Sequence, residues 1–111
     1  MLTKEMIMSA QDFEIRKVDV PEWGGEVNLR GLSSADRDNF EAEVGVDNDM
    51  KNLRARLVVK AIVDDDGKRI FGDKEAALLG QKSADVIVRL FEVVREMNGM
   101  GDADLEAAQE K

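Results

Sequence analysis

Asn52-Leu-Arg-Ala-Arg-Leu-Val-Val-Lys-Ala-Ile-Val63, followed by Asp64-Asp-Asp-Gly-Lys-Arg-Ile-Phe-Gly-Asp73, is the most apolar stretch of a charge-dense chain. Met50, Leu53, Leu57 and Ala61 recur at three- and four-residue spacing, which makes one stripe of a helix. Val58 and Ile62 widen that stripe. From Leu57 onward nearly every side is apolar, so this end is expected to be buried. The competing reading is a strand over 57–63, because Val and Ile dominate there, turning at Asp66-Gly67 and returning through Arg69-Ile-Phe71. The stripe begins before any β-branched residue, which favours a helix over about 49–63. A tight turn at 64–67 and a short extended 69–71 follow either way.

Upstream of this stretch, Phe13-Glu-Ile-Arg-Lys-Val-Asp-Val20 alternates apolar and polar residues as a strand does. Its parity slips between Ile15 and Val18, which predicts a bulge near Arg16 and Lys17. Pro21 ends the run, Trp23-Gly24-Gly25 supplies a turn, and Val27 with Leu29 resumes the alternation. The spacing therefore predicts a β-hairpin over about 13–31. Trp23 admits two readings: an exposed aromatic anchor for a partner, or a ring folded over the core edge, the latter favoured because indole buries a large area. Before the hairpin, Thr3 can cap a short helix over about 4–10 with Met6, Ile7 and Ala10 on one side. One or two turns are marginal in water, so that helix needs a surface to pack on.

Ser33 caps a mostly polar helix over about 34–44, anchored by Phe40 and Val44 and closed by Gly45; Asp36 completes an Asp version of the capping box. Residues 46–49 read as a linker whose Asn48 or Asp49 caps the next helix. Asp73 caps a short helix over about 74–79, and Ser83 caps the strongest one, over about 84–98, with Ile87, Leu90, Phe91, Val94 and Met97 or Asn98 as its stripe. Gly99 is a C′ residue, and Gly101-Asp102 restarts a final acidic helix, expected to be mobile. The fold class is α+β, mostly helical: the hairpin on a small bundle of four helices, with a short N-terminal arm over about 1–12 and a mobile tail over about 100–111. The 111 residues make one domain.

Charge and composition exclude several classes of function. Sixteen basic residues against twenty-four acidic ones give a net charge of −8. That opposes non-specific binding to nucleic acid or to anionic membranes, both of which need clustered cations. Cysteine and histidine are absent, which removes disulfides, thiol chemistry, nucleophilic triads and the usual metal ligands. Asp64-Asp65-Asp66-Gly67 fails as an EF-hand because Ile62 occupies the first ligand position. Asp47-Asn48-Asp49 fails because Lys51 and Asn52 stand where an acid and a glycine are needed. These clusters read as turn and cap residues. The N-terminus lacks a signal-peptide core, since Lys4 and Glu5 interrupt it, and no apolar run approaches the roughly 20 residues of a membrane span. A soluble, intracellular, non-enzymatic interaction protein without cofactor or metal is the expectation. Candidate partner-binding residues are Trp23, the helical cations Arg54 and Arg56 (with Lys51 and Lys60), and Met97, Met100 and Leu105, with Met6 and Met8 at the other end. Each has a plainer reading, as core filling or as an internal foil for acidic segments.

The order of segments resembles the tail assembly chaperones of long-tailed, siphovirus-type bacteriophages and prophages. The residues that carry the resemblance are Leu2-Thr3-Lys4-Glu5, Val20-Pro21-Glu22-Trp23-Gly24-Gly25-Glu26-Val27, Arg30-Gly31-Leu32-Ser33 and Arg54-Ala55-Arg56-Leu57-Val58. Val63-Asp64-Asp65-Asp66-Gly67-Lys68-Arg69-Ile70-Phe71 with Asp73, and Leu90-Phe91 with Met97-Asn98-Gly99, complete it. The resemblance implies a non-enzymatic role in the bacterial host cytoplasm. Such proteins keep the tape measure protein soluble, help tail tube protein polymerise around it, and leave before the virion is complete. A longer frameshifted product is often made in the family, while no binding residues can be carried over by motif; a homo-oligomer is a further partner option that the sequence leaves open. The alternatives are a structural tail component retained in the particle and, more remotely, an acidic mimic of nucleic acid.

Overall fold

The computed structural model describes residues 1–45 and 51–100. Five helices and three strands follow one another as α1 (Lys4–Ser9), β1 (Ile15–Val20), β2 (Gly25–Arg30), α2 (Ser34–Gly45), α3 (Leu53–Ala61), β3 (Ile62–Val63), α4 (Ala76–Leu79) and α5 (Ala84–Met97). The α+β expectation therefore holds, with an antiparallel sheet in the order β1-β2-β3. Met50, the 46–49 linker, the start of the helix expected from about 49, and the final helix beyond 100 all lie outside the described residues.

α3 is the centre of the molecule. Ala55, Leu57, Val58, Val59, Lys60 and Ala61 are buried on all its sides, as its apolar sequence requires. Burying a Leu or Val side chain contributes about 1.5–3 kcal/mol, so this one helix supplies much of the driving force. Its end is a correction to the sequence reading. The helix stops at Ala61, and Ile62 takes extended backbone at φ −71°, ψ 122°. Ile62 and Val63 then pair with Leu29 and Asn28 of β2. The β-branched run does act as a strand, but only in its last two residues, where the hairpin offers an edge to complete. The chain reverses at once: the amide of Asp64 donates to the Lys68 carbonyl at 2.8 Å, Gly67 takes φ 81°, and Val63 bridges Arg69.

The hairpin is as expected in extent, with β1 and β2 in continuous register from Ile15↔Arg30 to Val20↔Gly25. The bulge is absent. Arg16, Val18 and Val20 share the inner face with Val27 and Leu29, whereas Ile15, Lys17 and Asp19 point outward. Parity never slips, because Arg16 occupies an inward register position and reaches out to Glu14 at 2.8 Å and Glu96 at 3.5 Å. The consequence is that Ile15 stays exposed on the outer face. Pro21–Trp23 forms a 3₁₀ turn, closed by Gly24 at φ 80°, and Trp23 packs against the edge of the core.

Caps follow the sequence in part. Thr3 Oγ1 accepts from the Met6 amide at 3.2 Å, and Ser33 Oγ accepts from the Asp36 amide at 3.0 Å. Three expected caps are corrected: Ser83 stands at the N-cap of α5, but its side chain makes no capping hydrogen bond. Asp36 does not close a capping box, and Asp73 does not cap α4; arginine and lysine partners claim both carboxylates. Gly72 takes the cap position before a 3₁₀ turn at Asp73–Glu75, and its amide donates to Glu75 Oε1 at 2.8 Å.

α5 buries Val86, Ile87, Leu90, Phe91 and Val94 against α3. Asn98 at its end joins the two halves of the fold. Its Oδ1 accepts the Leu32 amide at 2.9 Å, its Nδ2 donates to the Val94 carbonyl at 2.8 Å, and its own carbonyl accepts from Arg37 at 3.2 Å. Replacing Asn98 with Ala strands the Leu32 amide, and a chemical denaturation curve should show a loss of about 1–3 kcal/mol.

Candidate functional site

Among the described residues, the exposed large apolar side chains gather at one end. Met1, Leu2, Met6, Ile7, Met8, Phe13 and Ile15 lie within the first fifteen positions, and only Ile70, Leu78 and Val88 lie elsewhere. α1 carries three of them, Met6, Ile7 and Met8, and none of its residues is buried. Six residues cannot hold a helix by propensity, and the other described residues do not bury it. Where the arm joins the hairpin, an open cleft of about 500 Å³ is lined by Asp12, Phe13, Glu14, Leu32, Met97 and Asn98, among others. Its lining mixes apolar Phe13, Leu32 and Met97 with Ser33, Ser34 and Asn98, and its charged lining residues are acidic. The ring of Phe13 lies 4.4 Å from the Arg30 guanidinium, which ties the arm's root to β2.

A second, smaller cleft of about 160 Å³ lies between α3, Gly80 and the start of α5. Ala55, Ala84, Ile87 and Val88 give it an apolar floor, and Arg54 and Lys82 give it a basic rim. A side chain at position 80 is blocked there, since a Cβ would meet Asn52 Oδ1 at 2.6 Å.

A third feature is a line of alternating charges. Arg30 reaches Asp36, Asp36 reaches Arg69, Arg69 reaches Asp73 at 2.6 Å, Asp73 reaches Lys60, and Lys60 reaches Glu43 at 3.1 Å. It links β2, α2, α3 and the segment after the Asp-Gly turn. The Lys60 side chain is 1% exposed. This removes Lys60 from the basic face expected on α3 and makes it an internal cation. Burial opposes the charge on Asp73, but hydrogen bonds from Arg69 and Lys60, reinforced by their charges, hold its pKa below the usual carboxylate range. Because the folded value lies below the reference of 3.8, the ionised carboxylate stabilises the fold above that pH. The contribution disappears as pH falls through the folded value. The stability gap between wild type and Asp73→Asn should thus be widest near neutrality and close below about pH 4, as read by denaturation at stepped pH. At the surface, the hydrogen bond from Arg89 at 2.7 Å similarly lowers the pKa of Glu22.

The predicted partner-binding residues are scattered by the fold. Trp23 is half-buried against the core, and Met100 is only 4% exposed. That burial also corrects the expected tail, because Met100 belongs to the core. Arg54 stands 5.8 Å from the Phe91 ring and lines the basic cleft, while Arg56 is half-buried. Met97 lines the acidic cleft instead. Leu105 lies outside the described residues. Met6 and Met8 of the arm are the singled-out methionines most open to solvent. Asp64 behaves as the turn residue expected of it, its Oδ1 accepting the amides of Asp66 and Lys68 at 2.9 and 3.0 Å. No cluster of metal-ligating side chains occurs among the described residues, nor any helix long and apolar enough to cross a membrane.

Comparison with known proteins adds identity to this geometry. No curated protein sequence matches the chain significantly. A solved structure of the bacteriophage HK97 tail assembly chaperone aligns with a TM-score of 0.65 at 23% identity, covering 88% of this chain and 95% of that one. At that identity the likeness is one of fold. The family model described as phage tail assembly chaperone matches residues 2–111, and the chain belongs to that family.

Proposed function

We propose that this tail assembly chaperone binds the tape measure protein in the host cytoplasm, keeps it soluble while tail tube protein polymerises around it, and is absent from the finished virion. The observation that carries the reading is the family match along residues 2–111. The physical chemistry supports it. A carrier with net charge −8 keeps a complex dispersed, and exposed methionines adapt to apolar helices of varied sequence. The role is non-enzymatic: binding and release, with no bond made or broken.

Co-expression tests it. With the chaperone present, tape measure protein should move from pellet to supernatant in a fractionated lysate. An unchanged pellet sinks the reading. Mass spectrometry of purified virions addresses the release step, since a retained structural component would be detected there in stoichiometric amount.

A further inference from the structure

We propose that the N-terminal arm, with the acidic cleft at its root, is the seat for a client helix whose apolar ridge is flanked by lysines or arginines. This rests on the chaperone reading above and adds the surface and the chemistry of what it holds.

The arm is the one element among those described that the chain does not use itself. α1 has a proper cap at Thr3 and a Ser9 hydroxyl bonded to the Glu5 carbonyl at 2.9 Å, yet nothing of it is buried. Met6 is 51% exposed, Ile7 56% and Met8 76%. Exposed Phe13 precedes β1, and the register of β1 turns Ile15 outward, so exposed apolar residues run on to the start of the hairpin. Exposed apolar surface concentrated in this way marks an interaction site rather than ordinary scatter.

Charge selects the occupant. The cleft at the arm's root has Asp12 and Glu14 on its lining and no lysine or arginine, over a floor that includes Phe13, Leu32 and Met97. Glu14 and the largely exposed Glu96 share one cation, Arg16, at 2.8 and 3.5 Å, so with Asp12 three carboxylates meet one arginine here. The chain as a whole is at −8. A second copy brings the same negative charge to this face, and an acid-flanked helix does the same; a base-flanked amphipathic helix meets both the apolar lining residues and the acids. The basic cleft at Arg54 and Lys82 is the opposite surface in charge, and it serves as the internal comparison.

The test uses the full chain and two synthetic amphipathic peptides with one leucine face, flanked by lysines in the first and by glutamates in the second. The lysine peptide should bind, more weakly as salt rises from about 50 to 300 mM, and the glutamate peptide should not. Met6→Asp with Ile7→Asp should weaken lysine-peptide binding by about tenfold or more. The thermal melt followed by Trp23 fluorescence should stay unchanged, because neither side chain belongs to the core. Asp12→Lys should weaken it further, and Arg54→Glu with Lys82→Glu should leave it intact. The proposal is overturned if neither peptide binds, if the glutamate peptide is preferred, or if the Arg54 and Lys82 pair abolishes binding. It is also overturned if the arm variant binds normally and loses only self-association on size exclusion. Co-expression separates the two levels. Wild type failing to solubilise tape measure protein ends the chaperone reading, whereas wild type and arm variant solubilising it equally ends only the arm's role.

Discussion

Lys60→Ala is expected to lower stability by about 3 kcal/mol in equilibrium denaturation, among the larger losses available to a single charged residue here. Its ammonium group lies 3.1 Å from Glu43 and 3.2 Å from Asp73, and its stem is enclosed by α3's neighbours. Removal does two things. It empties the space of a long side chain, and it takes from Glu43 its cation while Asp73 keeps Arg69. A fully buried stranded charge costs about 3–5 kcal/mol. Glu43 and Asp73 are each about one-third exposed, so water recovers part of that and the lower end applies. Lys60→Met keeps most of the volume and loses only the charge, so its loss should be about 1–2 kcal/mol. If Lys60→Met proves as stable as wild type, the ion pairs contribute nothing net and the residue serves only as packing.

This buried cation also marks where reading the sequence stops. The period of α5 and the alternation of the hairpin follow from side-chain spacing along one element, and both were legible. So was Thr3 as a cap, because a cap is decided within four residues. The line from Arg30 to Glu43 joins positions that only the fold brings together, and nothing in the local sequence separates Lys60 from the exposed cations Lys51 and Arg54. Arg16 misled for a related reason: an arginine at an inward register position mimics a slip in parity, since its stem is apolar and its head escapes to Glu14 and Glu96. Ile62 and Val63 were ambiguous because their state depends on whether β2 offers an edge. The candidate site was only half legible. Met6 and Met8 stand out in the sequence as adaptable side chains, and the shortness of α1 implies a packing surface, but that the other described residues leave it exposed depends on the fold. Met100 carried the reverse error, read as an end residue and found in the core.

Phe40→Ala should have the largest effect of any single side-chain truncation, about 3–5 kcal/mol. α2 spans Ser34–Gly45, and Phe40 and Val44 are its buried residues. The remainder of the helix is polar, so one aromatic ring provides most of the apolar area that holds it to the core. Phe40 is fully buried, and it is first among the fully enclosed side chains by volume. Its loss opens a cavity that Val44 and the neighbouring core of β-branched residues, stiff at χ1, fill poorly. It also loosens the helix that presents Glu43 to Lys60 and Asp36 to Arg69, so part of the charged line weakens with it. For a domain of this size, whose total stability is about 5–15 kcal/mol, the melting temperature should fall by roughly 15 °C or more. Phe13→Ala is the matched control. That ring is 40% exposed and meets Arg30 from outside the core, so its removal should change stability by less than about 1 kcal/mol. Calorimetry of the two variants decides the matter. Equal shifts would mean that α2 is held by its ion pairs rather than by its one large apolar contact, and that Phe40 fills space that the core can close without it.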